Sequence, residues 1–212
     1  MAEGKTYNGN YCEYDFEVTF LEKLVEAGWT YMSGKAMNSV AKDEVVYADD
    51  LLTFLKNTNP ELTADEIGTI YDRVRLIGGS SEFATLHNVY NWMVDGMQFI
   101  PHDGSAKMVQ LIDFEHPEEN IFRVVNQYSV EYINNGQRKT RRPDILLFVN
   151  GLPLCIFELK NPSDAKATIY DAWEQINIRY WRDIPQLLHY CPLACISDGV
   201  KTRLGTVRTP YE

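Results

Sequence analysis

Much that a chain of 212 residues could carry is missing from this one. No apolar run approaches the roughly 18 residues of a membrane span, and no signal peptide opens the chain. The expectation is therefore a cytoplasmic protein in a reducing setting, with no membrane partner. The four cysteines, at 12, 155, 191 and 195, are scattered and follow no metal-ligand pattern. Cys191 and Cys195 lie in or beside a late apolar strand and read as buried thiols. The four histidines, at 87, 102, 116 and 189, have no zinc-like spacing and no partner cysteine at a useful distance. His102 and Asp103 sit in a turn beside Gly104 and read as surface. Ser33-Gly34-Lys35 and Gly78-Gly79-Ser80 contain small residues, but neither matches a phosphate loop, so no nucleotide motor can be read. Positive charge is short as well. Twenty basic against 30 acidic residues leave a net charge of -10, which counts against this chain gripping nucleic acid strongly on its own.

What is present is a chain with enough apolar material to fold. Hydrophobic residues make up 45% and aromatic residues 12%, which excludes disorder as the default. The length suits one well-buried domain over residues 1–212. Charge is laid out unevenly. Acids dominate the first half, at Glu13, Asp15, Glu17, Asp43, Glu44, Asp49 and Asp50. Four bases then fall within five positions, Arg138, Lys139, Arg141 and Arg142, and Lys160, Lys166, Arg179 and Arg182 follow. Such a basic rim reads either as a place for a phosphate backbone or as the solvated end of a hairpin.

Residues 13 to 27 are expected to form a helix, because Phe16, Phe20, Leu21, Leu24 and Val25 recur at helical spacing and Gly28 ends the run. A short helical segment is expected at 49–56. Another helix at 64–76 starts from a capping box of Thr63 and Glu66 and stops at Gly78-Gly79. Residues 82–94 read as helix or irregular chain, so 49–100 as a whole forms a helical or irregular insert. The pattern then turns to strands, at 107–114 and at 121–132 with an interruption at Asn126-Gln127. A hairpin follows, with arms 143–149 and 153–159, both nearly all apolar, as for a sheet centre covered on two faces. Ser163 or Asp164 can cap a helix running to about Trp181, Pro185 interrupts the pattern, and 193–196 is a last strand. The fold expected is α/β, with helices over a mixed sheet, an N-terminal helical portion and no second domain.

The chemistry concentrates in the hairpin. Side chains on a strand alternate faces, so Glu158 and Lys160 share one face while Phe157 and Leu159 point the other way. A strict two-residue Asn-Gly turn sets Asp144 opposite Phe157 and off that face. A three-residue loop, Asn150-Gly151-Leu152, sets it opposite Glu158. Two converging acids beside a lysine therefore require the longer loop or a bulge. Such a trio suits metal-assisted phosphodiester hydrolysis, with the acids holding a divalent ion and the ammonium steadying water or developing charge. On the helix after the turn, Gln175 and Arg179 stand four apart and share a face from which both could reach a phosphate.

The run Arg141-Arg142-Pro143-Asp144-Ile145-Leu146-Leu147-Phe148-Val149-Asn150-Gly151-Leu152-Pro153-Leu154, leading into Phe157-Glu158-Leu159-Lys160-Asn161-Pro162, resembles the N-terminal nuclease region of type I restriction enzyme R subunits. These belong to the wider PD-(D/E)xK nuclease superfamily. Leu111-Ile112-Asp113-Phe114, Val124-Val125-Asn126-Gln127-Tyr128, Ile184-Pro185 and Ile196-Ser197-Asp198-Gly199 extend the likeness, as does Asn59-Pro60 with Leu62. The resemblance implies a restriction-endonuclease-like fold and a cleavage centre of Asp144, Glu158 and Lys160, with Mg²⁺ held by Asp144 and Glu158. It adds an acid on the first helix, best matched by Glu17, with Glu13 and Glu22 as alternatives.

The family's Gln-x-x-x-Tyr motif fits only in part. Measured back from Ile184-Pro185, Tyr180 takes the tyrosine position and Ile176 that of the glutamine. Measured forward, Gln175 fits and Arg179 replaces the tyrosine. A spacing of five turns two side chains apart on a regular helix, which keeps Gln175 in the site and argues against Tyr180 as its partner. By resemblance the intact protein hydrolyses ATP with a motor whose linker starts at about 200–212. It would act on double-stranded DNA together with methyltransferase and specificity subunits. Two other readings share these residues: a stand-alone repair or junction nuclease, and a non-catalytic docking module of the same complex.

Overall fold

A computed structural model describes residues 13–37, 44–161 and 168–212. The first helix, α1 (Glu13–Glu26), forms on the expected stripe, with Leu21 buried, Phe16, Phe20 and Leu24 packed beside it, and Val25 left exposed. A short strand follows, β1 (Thr30–Ser33), then one turn of helix, α2 (Gly34–Met37). The segment read as a helical or irregular insert holds three helices and ends in a strand. The helices are α3 (Ala48–Thr58), α4 (Ala64–Arg75) and α5 (Glu82–Asp95). Helix α4 begins with the Thr63–Glu66 capping box, each partner bonding the other's backbone amide. Leu51, Leu55, Ile67, Ile70 and Val74 are buried in one cluster with the sheet.

The strand expected over 107–114 is shorter. β2 (Met97–Phe99) pairs antiparallel with β3 (Lys107–Val109), and the chain bends from Leu111 onward. The expected strand at 121–132 is two strands in different sheets, β4 (Phe122–Asn126) and β5 (Val130–Asn134), broken at Gln127, whose φ is +53°. β5 forms a hairpin with β6 (Gln137–Arg141), a strand whose unbroken polarity hid it in the sequence. β7 (Ile145–Val149) and β8 (Leu152–Leu159) are the two apolar arms.

After β8 the described chain resumes at Thr168, which caps α6 (Ile169–Glu174) through a second capping box with Asp171. The caps expected at Ser163 or Asp164 lie outside the described residues. Residues Gln175–Tyr180 continue α6 as a π-helix, then come α7 (Trp181–Asp183) and α8 (Pro185–Leu188). β9 (Leu193–Ser197) follows, and β10 (Thr202–Gly205) takes up part of the segment read as the start of a linker.

Six strands form the main sheet in the order β1-β4-β7-β8-β9-β10. It is mixed: β1 and β8 run parallel to β4 and β9 respectively, and the remaining pairs are antiparallel. Period-two alternation divides the central strands between its faces. Val124, Ile145, Cys155, Phe157 and Leu159 pack under α1, whereas Val125, Leu146, Phe148 and Ile156 join the larger core with the insert and α6. The expected α/β architecture of a mixed central sheet flanked by helices, with an N-terminal helical region, is the one observed. No described helix is long and apolar enough to cross a membrane.

Candidate active site

The turn of the β7–β8 hairpin has only two residues, Asn150 (φ +50°) and Gly151 (φ +78°), and Val149 pairs with Leu152. The register then slips between Leu147 and Phe148: Phe148 faces Pro153, but Leu147 faces Cys155. This bulge passes over Leu154 and sets Ile145 against Phe157, which brings Asp144 level with Glu158. Of the two devices that the chemistry required, the protein uses the bulge.

Asp144 and Glu158 thereby enter the face that α6 covers. Asp144 accepts a hydrogen bond from the Leu159 amide at 2.7 Å. Burial pushes its carboxyl above the ordinary range, partly countered by that amide and by Lys160. Glu158 is completely buried. Burial, and then the Asp144 charge, push its carboxyl well above the usual value. Two carboxylates in one dry site cannot both ionise without added positive charge. Lys160 supplies only part of it: Nζ lies 3.8 Å from Glu158 Oε2 and donates to Gln175 Oε1 at 3.2 Å and to the Leu159 carbonyl at 3.1 Å.

Gln175 and Tyr180 correct the expectation drawn from their spacing. The chain from Gln175 to Tyr180 is π-helical, with hydrogen bonds running i→i+5. Its wider turn puts positions five apart on one face. Gln175 Nε2 donates to Tyr180 Oη at 2.8 Å and to Glu158 Oε2 at 2.6 Å, while Tyr180 Oη donates to Glu158 Oε1 at 2.5 Å. Burial and then the Glu158 charge raise the Tyr180 pKa, keeping the phenol protonated as a donor. The one extra residue between Gln175 and Tyr180, relative to the Gln-x-x-x-Tyr pattern, is absorbed as a π-turn. Arg179 leaves the face expected for it and pairs with Glu174 at 2.6 Å, largely in solvent.

Glu17 reaches the site from α1. It is buried, and accepts hydrogen bonds from Asn126 Nδ2 at 2.7 Å and Gln127 Nε2 at 2.9 Å. Glu22 on the same helix is exposed, and the Glu13 side chain lies outside the described residues. Sequence reasoning gave Asn126 and Gln127 no role, although the strand break there was visible. The Gln127 side chain also hydrogen-bonds Asp144, and its backbone amide donates to the Asp144 carbonyl at 2.9 Å. Gln127 thus ties the helix acid to the strand acid, from a left-handed backbone that few non-glycine residues adopt.

The remaining readings sort simply. Cys155, Cys191 and Cys195 are buried free thiols with pKa values raised by burial, while Cys12 lies outside the described residues. His102 is exposed, and among the described residues no three His, Cys, Asp or Glu side chains gather to hold a metal. The pair Asp144 and Glu158 still fits a hard divalent ion such as Mg²⁺. Both are oxygen donors, they converge, and they lack the positive charge that would let both ionise.

Residues 10–212 match the family described as "Type I restriction enzyme R protein N terminus (HSDR_N)". The chain is 31% identical over 208 residues to a "Putative type I restriction enzyme MjaIXP endonuclease subunit" of Methanocaldococcus jannaschii, covering 94% of this chain and 20% of that protein. It is also 31% identical over 210 residues to the "Type I restriction enzyme HindI endonuclease subunit" of Haemophilus influenzae, again covering 94% of this chain and 20% of that protein. The chain therefore spans about a fifth of the length of these relatives.

Proposed function

We infer the activity of this chain from its kinship: it belongs to the family of type I restriction enzyme R protein N-terminal domains. On that premise it is a DNA endonuclease domain that cleaves phosphodiester bonds, with Asp144, Glu158 and Lys160 as the cutting centre. The observation that carries this reading is the buried Glu158–Asp144 pair beside Lys160, an arrangement costly to fold unless a cation completes it.

Asp144 and Glu158 would hold Mg²⁺, which when bound supplies Lewis acidity toward a phosphoryl oxygen and toward water. Lys160 orients the attacking water and offsets negative charge growing on the phosphate, a donor role whose loss costs about 10²–10³ in rate in other hydrolases. Gln175 and Tyr180 fix the Glu158 carboxyl from both oxygens, and Gln127 fixes Asp144 and Glu17 relative to each other. In the whole protein, acting on double-stranded DNA in the cytoplasm with methyltransferase and specificity subunits, ATP would serve a separate motor.

Two experiments test this. A Mn²⁺ or Mg²⁺ titration of the chain should show binding that Asp144→Ala removes while circular dichroism stays unchanged. In the assembled enzyme, Lys160→Ala should lower DNA cleavage at least about 10²-fold with ATP hydrolysis retained. A folded K160A enzyme that cuts at the normal rate would remove Lys160 from the centre. Equal or absent metal binding in wild type and D144A would favour the docking-module reading.

A further inference from the structure

The basic run 138–142 forms no part of the cutting centre, yet it leads straight into it. β6 presents Arg138, Lys139 and Thr140 to solvent, and Arg142 is exposed just beyond its end. No acidic residue occurs from Tyr132 to Pro143, in a chain whose net charge is -10. Arg141 alone turns inward, where Asp183 holds it at 2.5 Å and its guanidinium lies over the Tyr132 ring. Arg138 makes one ion pair, with Glu131 at 3.2 Å, and remains 83% exposed. Lys139 and Arg142 have no ion pair among the described residues. The hairpin is also braced from its other strand, since Gln186 Nε2 donates to the Glu131 carbonyl. An exposed basic ribbon is thus anchored to α7 and α8, next to the π-turn that carries Tyr180.

We propose that the outer edge of the β5–β6 hairpin, through Arg138, Lys139 and Arg142, is the surface on which the DNA backbone lies as it enters the cutting centre. Two residues of chain set Arg142 at most about 7 Å from Asp144, and six set Arg138 within about 20 Å. That reach is a little over half of one turn of B-DNA. Guanidinium and ammonium groups displace the counterions condensed on phosphates, the term that dominates sequence-independent DNA binding. Sequence independence suits the site, because a contact continuous with the cutting residues grips whichever phosphate arrives there. In a protein this acidic, duplex DNA is repelled from most of the surface, and the hairpin then also sets its orientation.

This inference rests on the nuclease reading, and the test separates the two. Binding of a fluorescent 30-base-pair duplex to the 212-residue chain is measured in EDTA across a salt series, with circular dichroism as the fold control. The triple variant Arg138→Gln, Lys139→Gln, Arg142→Gln leaves the Arg141–Asp183 anchor intact. Each phosphate contact contributes about 0.9 to the slope of log K against log salt. The triple variant should therefore lower that slope by about 2–3 and weaken binding about 10-fold or more at low salt. A charge-matched control, Lys35→Gln, Lys56→Gln, Lys201→Gln, removes three exposed bases elsewhere and should leave the slope unchanged. An unchanged slope in the first triple variant, equal effects of both, or no binding by wild type at low salt each overturns the proposal. Retained binding in the first triple variant would show that the DNA lies elsewhere and would leave an acidic protein partner as the ribbon's remaining reading. If DNA binding depends on the ribbon but Mg²⁺ produces no cleavage in the assembled enzyme, the surface stands and the nuclease reading falls.

Discussion

The protein contains two hairpins closed by the same two-residue turn, and they share almost nothing else. Asn135-Gly136 joins β5 to β6 with φ values of +50° and +74°; Asn150-Gly151 joins β7 to β8 with +50° and +78°. Turn chemistry thus fixes the connection equally in both. Burial separates them. β7 and β8 lie in the middle of the six-stranded sheet with nearly every residue inside, whereas β6 is exposed along all but its last position. Asn150 is completely buried and bonds the Leu111 carbonyl, Asn120 Oδ1 and the Ile121 amide, while Asn135 faces solvent. One hairpin brings Asp144 level with Glu158 and the other stands beside it as a charged rib. A local turn signal says where a chain reverses, and the side chains of the arms decide what the reversal is for.

The sharpest way to break this contrast is at matching positions. Phe148 and Ile133 each stand two residues before the turn asparagine. Phe148 is fully buried and meets Tyr128 edge to face, with ring centroids 6.5 Å apart. Phe148→Ala should cost about 3–5 kcal/mol in urea unfolding. A loss below about 1.5 kcal/mol would mean that the centre of the sheet is not packed as described.

The turn glycines give the next largest effect. An alanine at either needs a left-handed backbone, at about 1–2 kcal/mol. At Gly136 nothing lies within 4 Å of the added methyl, so the backbone cost is the whole effect. At Gly151 that methyl would sit 2.2 Å from the Tyr47 carbonyl oxygen and 3.0 Å from the Leu51 amide, where α3 docks on the turn. Gly151→Ala should exceed Gly136→Ala by about 1–3 kcal/mol, the usual range for overpacking. Equal losses would show that α3 is free to move off the hairpin.

The same contrast explains what the sequence revealed. β7 and β8 were legible because long apolar arms admit few alternatives, and the need for Asp144 to face Glu158 even demanded a bulge or a longer loop. The α4 capping box was legible because its reciprocal bonds depend on residues three apart. β6 was not: Gln-Arg-Lys-Thr-Arg has no apolar alternation, and its strand state depends on pairing with β5. β1 and β10, of four residues each, are held by their sheet neighbours in the same way. In the candidate site, the acids and Lys160 could be placed by period-two counting. Gln127 could not, because its role depends on a backbone turn at +53°. Tyr180 was set aside for a sound reason, the 3.6-residue period, which the π-turn suspends.

Acid should act on the exposed hairpin through its anchor. Arg182, and then Arg141, hold the Asp183 carboxyl down to about 2, against about 3.9 for an unfolded aspartate. A depressed carboxylate contributes stability above its unfolded pKa and loses it as pH falls toward its folded one. The contribution should therefore be complete above about pH 5 and fade between about pH 4 and 2. Asp183→Asn should lower stability at neutral pH and flatten the acid limb of a urea-midpoint profile. An acid limb as steep as that of wild type would show that the anchor carries no pH-dependent stability.

The smallest effect is the counterpart of the largest. Ile133 is 75% exposed and lies opposite Arg138 across the hairpin. An exposed side chain has little burial to lose, so Ile133→Ala should shift stability by less than about 0.5 kcal/mol, the ordinary surface range. Set against Phe148→Ala, the difference reads chiefly as burial, since the two-residue turn beside both positions is the same. The measurement also has a sharper form. If Ile133→Ala costs more than about 1 kcal/mol, and the cost grows with protein concentration, a second copy must cover the ribbon. Its bases would then be unavailable to DNA. A small, concentration-independent cost leaves the outer edge of the hairpin open to solvent, as the proposed DNA contact requires.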